Sequence, residues 1–153
     1  MVEGGTPDDD DLSACLATAD RLLREALSEG LRPVGLSWTD YQALRRVAHH
    51  HPPVSQLARE LRTTVAVTVR LIDDLEQRGL VVRRPDEHDR RTKRVDPTGP
   101  GLSALREARA ALATVRAELW AGRPAGESDE LDHLLHGLIQ RLKDGPRAPR
   151  KEA

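Results

Sequence analysis

Arg83, Arg84, Arg90, Arg91, Lys93 and Arg94 crowd one short stretch of a chain whose net charge is only −1. Only Asp86, Glu87 and Asp89 oppose them locally. Guanidinium and ammonium groups at this density are suited to contacting nucleic-acid phosphates, and the contrary reading is a solvated charged hairpin. Catalytic chemistry has little to work with. The sequence carries no glycine-rich phosphate loop, no plausible Ser-His-Asp spacing and no carboxylate pair whose surroundings can be placed, so no enzyme and no cofactor are expected.

What must position the basic stretch lies just before it. Val54, Leu57, Ala58 and Leu61 recur at the spacing of a short amphipathic helix. A polar break at Arg62 and Thr63 follows, and Thr64 is a suitable N-cap for a second helix with Thr68, Leu71, Ile72 and Leu75 on its inner face. Gly79 ends it. Leu80–Val82 and Thr92–Val95 are β-leaning runs on either side of a Pro85-Asp86 turn. Helix, turn, longer helix and basic hairpin describe a winged helix-turn-helix over residues 36–98. With Thr68, Leu71, Ile72 and Leu75 inward, Ala66, Arg70, Asp73 and Gln77 point outward with Val65, Val69 and Glu76 on the borders, and Ala66, Val69 and Arg70 are expected to face DNA. Arg70 suits a guanine edge or a phosphate, whereas Val65, Ala66 and Val69 can touch only thymine methyls or sugars.

The flanks read as helices. Leu12, Cys15, Leu16, Ala19, Leu22, Leu23, Ala26 and Leu27 form a long stripe that stops near Gly30 and Pro33. Ser37 and Asp40 are spaced as a capping box ahead of Trp38, Tyr41, Leu44, Val47 and Ala48. Beyond the hairpin, Thr98 caps a helix bearing Leu102, Leu105, Ala108, Leu112, Val115 and Leu119. Gly122–Gly126 breaks the chain, and Leu131, Leu134, Leu135, Leu138, Ile139 and Leu142 mark a last helix. The expected fold class is mainly α with a small β-wing. The terminal stripes are too apolar for single surface helices, so residues 12–35 and 99–144 are expected to be dimerisation regions; a monomeric bundle would satisfy the same periodicity. Residues 1–11, rich in Asp, are expected to be disordered, and residues 145–153 a flexible basic tail. No apolar run approaches a membrane span, the N-terminus is acidic rather than signal-like, and a single Cys forms no intrachain disulfide. A cytoplasmic protein without membrane association is expected.

The runs Leu57–Leu61, Thr68–Arg84 and Pro85–Arg91, with weaker similarity at Leu31–Tyr41 and Pro97–Gly99, resemble the MarR family of bacterial transcription regulators in order and spacing. The resemblance covers residues 12–142. It implies a sequence-specific regulator, a repressor, that binds a pseudo-palindromic duplex operator as a homodimer whose first and last helices interleave. The candidate DNA contacts are Ser55, Gln56, Thr64, Val65, Ala66, Val69, Arg70, Arg84, Asp89, Arg90 and Arg91. In the family pattern that Asp89-Arg90-Arg91 matches, the Asp steadies one arginine and an arginine reaches the minor groove. The chain departs from the family at Val65, Ala66 and Val67, where relatives carry Ser, Thr or Arg. A winged helix that binds protein instead of DNA is the competing class.

The resemblance also points to sensing. Cys15 stands where the hydroperoxide-sensing branch keeps its reactive thiol, yet Leu12, Leu16 and Ala19 are apolar neighbours that disfavour the thiolate, and Tyr41 is the only tyrosine. His49–His51 with His133 and His136 could hold zinc as in some members, but a helix C-terminus favours histidine anyway, and no metal is expected. Trp38 and Tyr41 are candidates for lining a pocket for a small phenolic or anionic effector, with core packing as the alternative.

Overall fold

The structure is a computed structural model describing residues 9–86, 92–124 and 126–145. Its elements are α1 (Asp9–Leu31), a 3-10 turn (Arg32–Val34), α2 (Trp38–His50), α3 (Val54–Glu60), α4 (Val65–Gln77), β1 (Val81–Pro85), β2 (Lys93–Pro97), α5 (Gly99–Leu119) and α6 (Glu127–Asp144). Residues up to Val115 form one compact unit and those from Arg116 a second. No helix among the described residues is long and apolar enough to cross a membrane.

α1 begins at Asp9, inside the stretch expected to be disordered. Its polar face carries the pairs Arg24–Asp20 and Arg21–Glu25, each at 2.8 Å. Leu31, fully buried, anchors its end in the core. Gly35 then takes a left-handed φ of 70°, turning the chain into α2.

Local caps set the next boundaries. Ser37 Oγ accepts from Asp40 N at 3.1 Å while Asp40 Oδ2 accepts from Ser37 N at 2.9 Å. Thr64 Oγ1 accepts from Val67 N at 3.3 Å at the start of α4, a contribution of about 1 kcal/mol. Gly79, at φ 71°, ends the turn after α4 while Leu80 N donates back to Leu75 O at 2.9 Å. Between α3 and α4, Arg62 takes a left-handed φ of 53°. The core joins Leu31, Tyr41, Leu44 and Val47 to Leu57, Ile72, Leu75, Val81, Val95 and Leu105.

β1 and β2 pair antiparallel, with Val81 opposite Pro97, Arg83 opposite Val95 and Pro85 opposite Lys93. Both strands are shifted C-terminally from the expected runs: Arg83 and Arg84 belong to β1, and Thr92 precedes β2. The alternation explains the shift, because Val81 and Val95 must point into the core while Arg84 and Arg94 point out. A third edge was not foreseen. Pro53 bridges to Arg94, and Val95 N donates to Pro52 O at 3.1 Å. Proline lacks a donor but keeps its carbonyl, so a Pro-Pro segment can still cap a sheet edge.

In the second unit, Gly126 at φ 100° precedes α6, which opens with Glu127, Asp129 and Glu130 and closes with Arg141 and Lys143, both in keeping with its dipole. None of its residues is buried.

Candidate nucleic-acid interface

α4 is held by its inner face. Thr68, Ile72 and Leu75 are fully buried, Leu71 is half-buried, and the Thr68 hydroxyl donates to Thr64 O at 3.0 Å, so no polar atom is stranded there. The opposite face is open. Val65 is 51% and Val69 37% exposed, and Ala66 and Arg70 are exposed with them. The Arg70 guanidinium has no ion-pair partner among the described residues. Val67, at 53%, is a further exposed valine on this first turn.

The other candidates divide by what already holds them. Ser55 is exposed on the first turn of α3. Gln56 is half-buried and donates from Nε2 to Glu60 Oε1 at 2.9 Å. Thr64 is engaged as the cap. Arg84 is largely exposed, with a loose 3.4 Å approach to Asp96, which also accepts from His51 Nδ1 at 2.9 Å. Asp89, Arg90 and Arg91 lie outside the described residues.

Arg83 stands apart from the basic stretch to which it belongs in sequence. Its guanidinium reaches Asp73 Oδ1 at 2.7 Å and Glu76 Oε2 at 2.5 Å, and its backbone N–H donates to Glu76 Oε1 at 2.9 Å. Two carboxylates of α4 thus clamp the root of β1 to that helix. Sequence inspection could not see this, because Asp73 and Glu76 look like ordinary solvated charges until β1 folds back over them. A second tie joins α4 to α2. Arg78 Nη1 donates to Asp40 Oδ2 at 3.1 Å and to Asp74 Oδ2 at 3.0 Å, and Nη2 to Gly35 O at 2.6 Å. Burial works against the Arg78 charge, but hydrogen bonds and charge from Asp74 and Asp40 outweigh it and raise its pKa.

Glu60, closing α3, gathers His50 Nε2 at 2.9 Å, Gln56, and Arg46 Nε at 3.6 Å. Burial raises its pKa, yet hydrogen bonds from Gln56 and His50 and the charges of His50 and Arg46 bring it below its ordinary 4.5. A depressed carboxylate contributes stability above its unfolded pKa and loses it as pH falls through the folded value. Stability is therefore expected to decline below pH 4.5. Denaturant titrations at stepped pH should show a shallower decline for Glu60→Gln than for the parent; identical slopes would remove Glu60 from the account.

The sensing candidates are placed as follows. Cys15 is exposed in the single chain, on the α1 face that also presents Leu12 and Leu16. Tyr41 is a core residue, with its ring 5.4 Å from that of the half-buried Trp38. No three His, Cys, Asp or Glu side chains come together as a metal would require among the described residues. His136 Nδ1 bonds instead to Asp132 O at 2.7 Å.

The sequence model of the MarR family matches residues 34–92, from the turn before α2 through α3, α4 and β1. Solved structures share the fold. CouR from Rhodococcus jostii RHA1, bound to p-coumaroyl-CoA, is 24% identical with a TM-score of 0.78, covering 94% of this chain and 99% of its own. A probable transcriptional regulator from Pseudomonas aeruginosa is 27% identical at TM-score 0.73, covering 85% and 98%. A mutant MarR from E. coli complexed with operator DNA is 21% identical at TM-score 0.74, covering 84% and 93%. The family is regulatory, not enzymatic. With the family model matching its winged helix over residues 34–92 and its fold shared with these solved regulators, the chain is similar to the MarR family of transcriptional regulators.

Proposed function

We propose that the chain is a homodimeric, sequence-specific DNA-binding repressor whose α4 enters the major groove. The carrying observation is the two-faced character of α4: one face is locked into the core through Thr68, Ile72 and Leu75, and the other is an open strip of Val65, Ala66, Val69 and Arg70. Arg70 contacts a guanine edge or phosphate, and the valines and Ala66 contact thymine methyls. Ser55, Gln56, Thr64 and Arg84 border the strip, and Asp89, Arg90 and Arg91 supply the wing contact that the family resemblance implies.

Fluorescence anisotropy with genomic duplexes tests this. Affinity should fall steeply with salt, by about 0.9 log units per log unit of salt for each phosphate contacted. Arg70→Ala should weaken cognate binding by roughly 1–3 kcal/mol while leaving helicity intact. Absence of binding, or binding indifferent to salt, would favour a winged helix that docks protein.

What the chain leaves uncovered supports the dimer. Leu12, Leu16, Leu22 and Leu23 of α1, and Leu131, Leu134, Ile139 and Leu142 of α6, are all exposed in the single chain. Surfaces this apolar mark interaction sites, and a second copy covering them would also enclose Cys15. On this reading Cys15 is a packing residue: Cys15→Ser should bind DNA as the parent does, and organic peroxide should not release the parent. Peroxide release that vanishes in Cys15→Ser would make the protein a hydroperoxide sensor. Control of repression by a small phenolic or anionic effector belongs to the same proposal, with the half-buried Trp38 beside Tyr41 as its candidate contact.

A further inference from the structure

The first turn and a half of α4 exposes aliphatic carbon where a base-reading helix needs polar groups to tell bases apart by hydrogen bonding. Val65, Val67 and Val69 are exposed, with Ala66 between them. The two hydroxyls beside them are spent within the helix. Thr64 Oγ1 accepts from Val67 N at 3.3 Å, and the buried Thr68 Oγ1 donates to Thr64 O at 3.0 Å. The next two outward carboxylates are committed as well, since the Arg83 guanidinium draws Asp73 to 2.7 Å and Glu76 to 2.5 Å. What remains to meet a base edge is the aliphatic strip and the exposed Arg70. Other cations border it: Arg62, just ahead of the Thr64 cap, and Arg84 and Lys93 on the two strands are all exposed.

We infer that Val65, Ala66 and Val69 read the C5-methyl group of a pyrimidine rather than the identity of the base, so that 5-methylcytosine can stand in for thymine and methylation of an operator cytosine strengthens binding. The inference rests on the duplex-binding proposal above and adds a form of regulation to it. In the major groove thymine shows an O4 acceptor and a C5-methyl, whereas cytosine shows an N4 amino donor and a bare C5. A side chain without hydrogen-bonding groups feels only the methyl. A carboxylate could single out cytosine by accepting from its amino group, but Asp73 and Glu76 are held by Arg83. Burying a methyl against exposed valine removes apolar surface of both partners from water, and one such methyl is worth about fourfold in affinity. The charge pattern selects this occupant over an apolar protein surface: an aliphatic strip bordered by cations matches a groove whose floor carries methyls and whose rims carry phosphates.

Fluorescence anisotropy with the full chain and modified duplexes tests this. The tightest duplex selected from a random library is remade with each thymine in turn replaced by uracil, which removes the methyl and nothing else. At least one thymine of each half-site should respond, with a loss of about fourfold per methyl. At that position a 5-methylcytosine–guanine pair should be bound about fourfold more tightly than the unmethylated pair. Val65→Ala or Val69→Ala should bring the thymine-to-uracil ratio there close to one. Arg70→Ala should weaken both duplexes and keep the ratio, because a guanidinium acts on guanine or phosphate and not on the methyl. Retained circular dichroism in each variant separates loss of the contact from loss of fold. Overturning results would be indifference to uracil at every position, 5-methylcytosine bound no better than cytosine, or an unaltered ratio in both valine variants. Failure to bind any duplex would overturn this inference and the repressor proposal together, whereas tight binding blind to the methyl would overturn this inference alone.

Discussion

Gly101→Ala is expected to destabilise the protein by about 2–4 kcal/mol, among the larger effects a single methyl can have. A Cβ at this position would stand 1.9 Å from Leu80 O and 2.9 Å from Leu80 C. Backbone cannot yield as a flexible side chain does, and this backbone is fixed from both sides. Thr98 N donates to Leu80 O at 3.1 Å, and Thr98 Oγ1 donates to Gly79 O at 2.6 Å while accepting from Gly101 N at 3.0 Å. The first turn of α5 is therefore pressed against the segment that leads into β1, and so against the root of the wing. Gly99→Ala is the control, since a Cβ there meets nothing within 4 Å. It should be neutral or slightly stabilising through helix propensity. Urea unfolding midpoints compare the two, and a Gly101→Ala midpoint equal to that of Gly99→Ala would refute the close approach.

The second large effect is expected at Leu134→Glu. Leu134 is 62% exposed in the single chain, beside Leu131 and Leu142 on the uncovered face of α6. In a monomer this exchange would be close to neutral or would aid solubility. In the proposed dimer it buries an unpaired carboxylate, at a cost of about 3–5 kcal/mol, which raises the dissociation constant by roughly two to four orders of magnitude. Sedimentation velocity at micromolar concentration should then show the parent as a dimer and the variant as a monomer, with operator affinity lost in parallel. A parent that sediments as a monomer, or a variant that stays dimeric, would contradict the dimer proposal.

Features written within a few residues were legible in the sequence. The capping box at Ser37 and Asp40, the Thr64 cap, the stop at Gly79 and the outward set Ala66, Val69 and Arg70 depend on local spacing, and the structure shows each in place. Features made by residues distant in sequence were not. The Arg78 tie to Asp40, the Pro53–Arg94 bridge and the cluster of Arg45 with Arg106 and Arg109 exist only after the chain folds back. Arg83 shows the difference most directly: composition groups it with the phosphate-binding cations, whereas geometry commits it to Asp73 and Glu76. Apolar period in α1 and α6 signalled burial, yet one chain leaves those faces open, because period reports what must be covered and not by which molecule.

The central claim is that two copies of α4 read two half-sites of one duplex. Selection from a random duplex library by the full-length protein tests it most directly. The account predicts enrichment of a pseudo-palindrome whose half-site centres lie about one helical turn, roughly 10 base pairs, apart, with thymines among the preferred bases. An unenriched library, or a single asymmetric half-site bound by one chain, would contradict it.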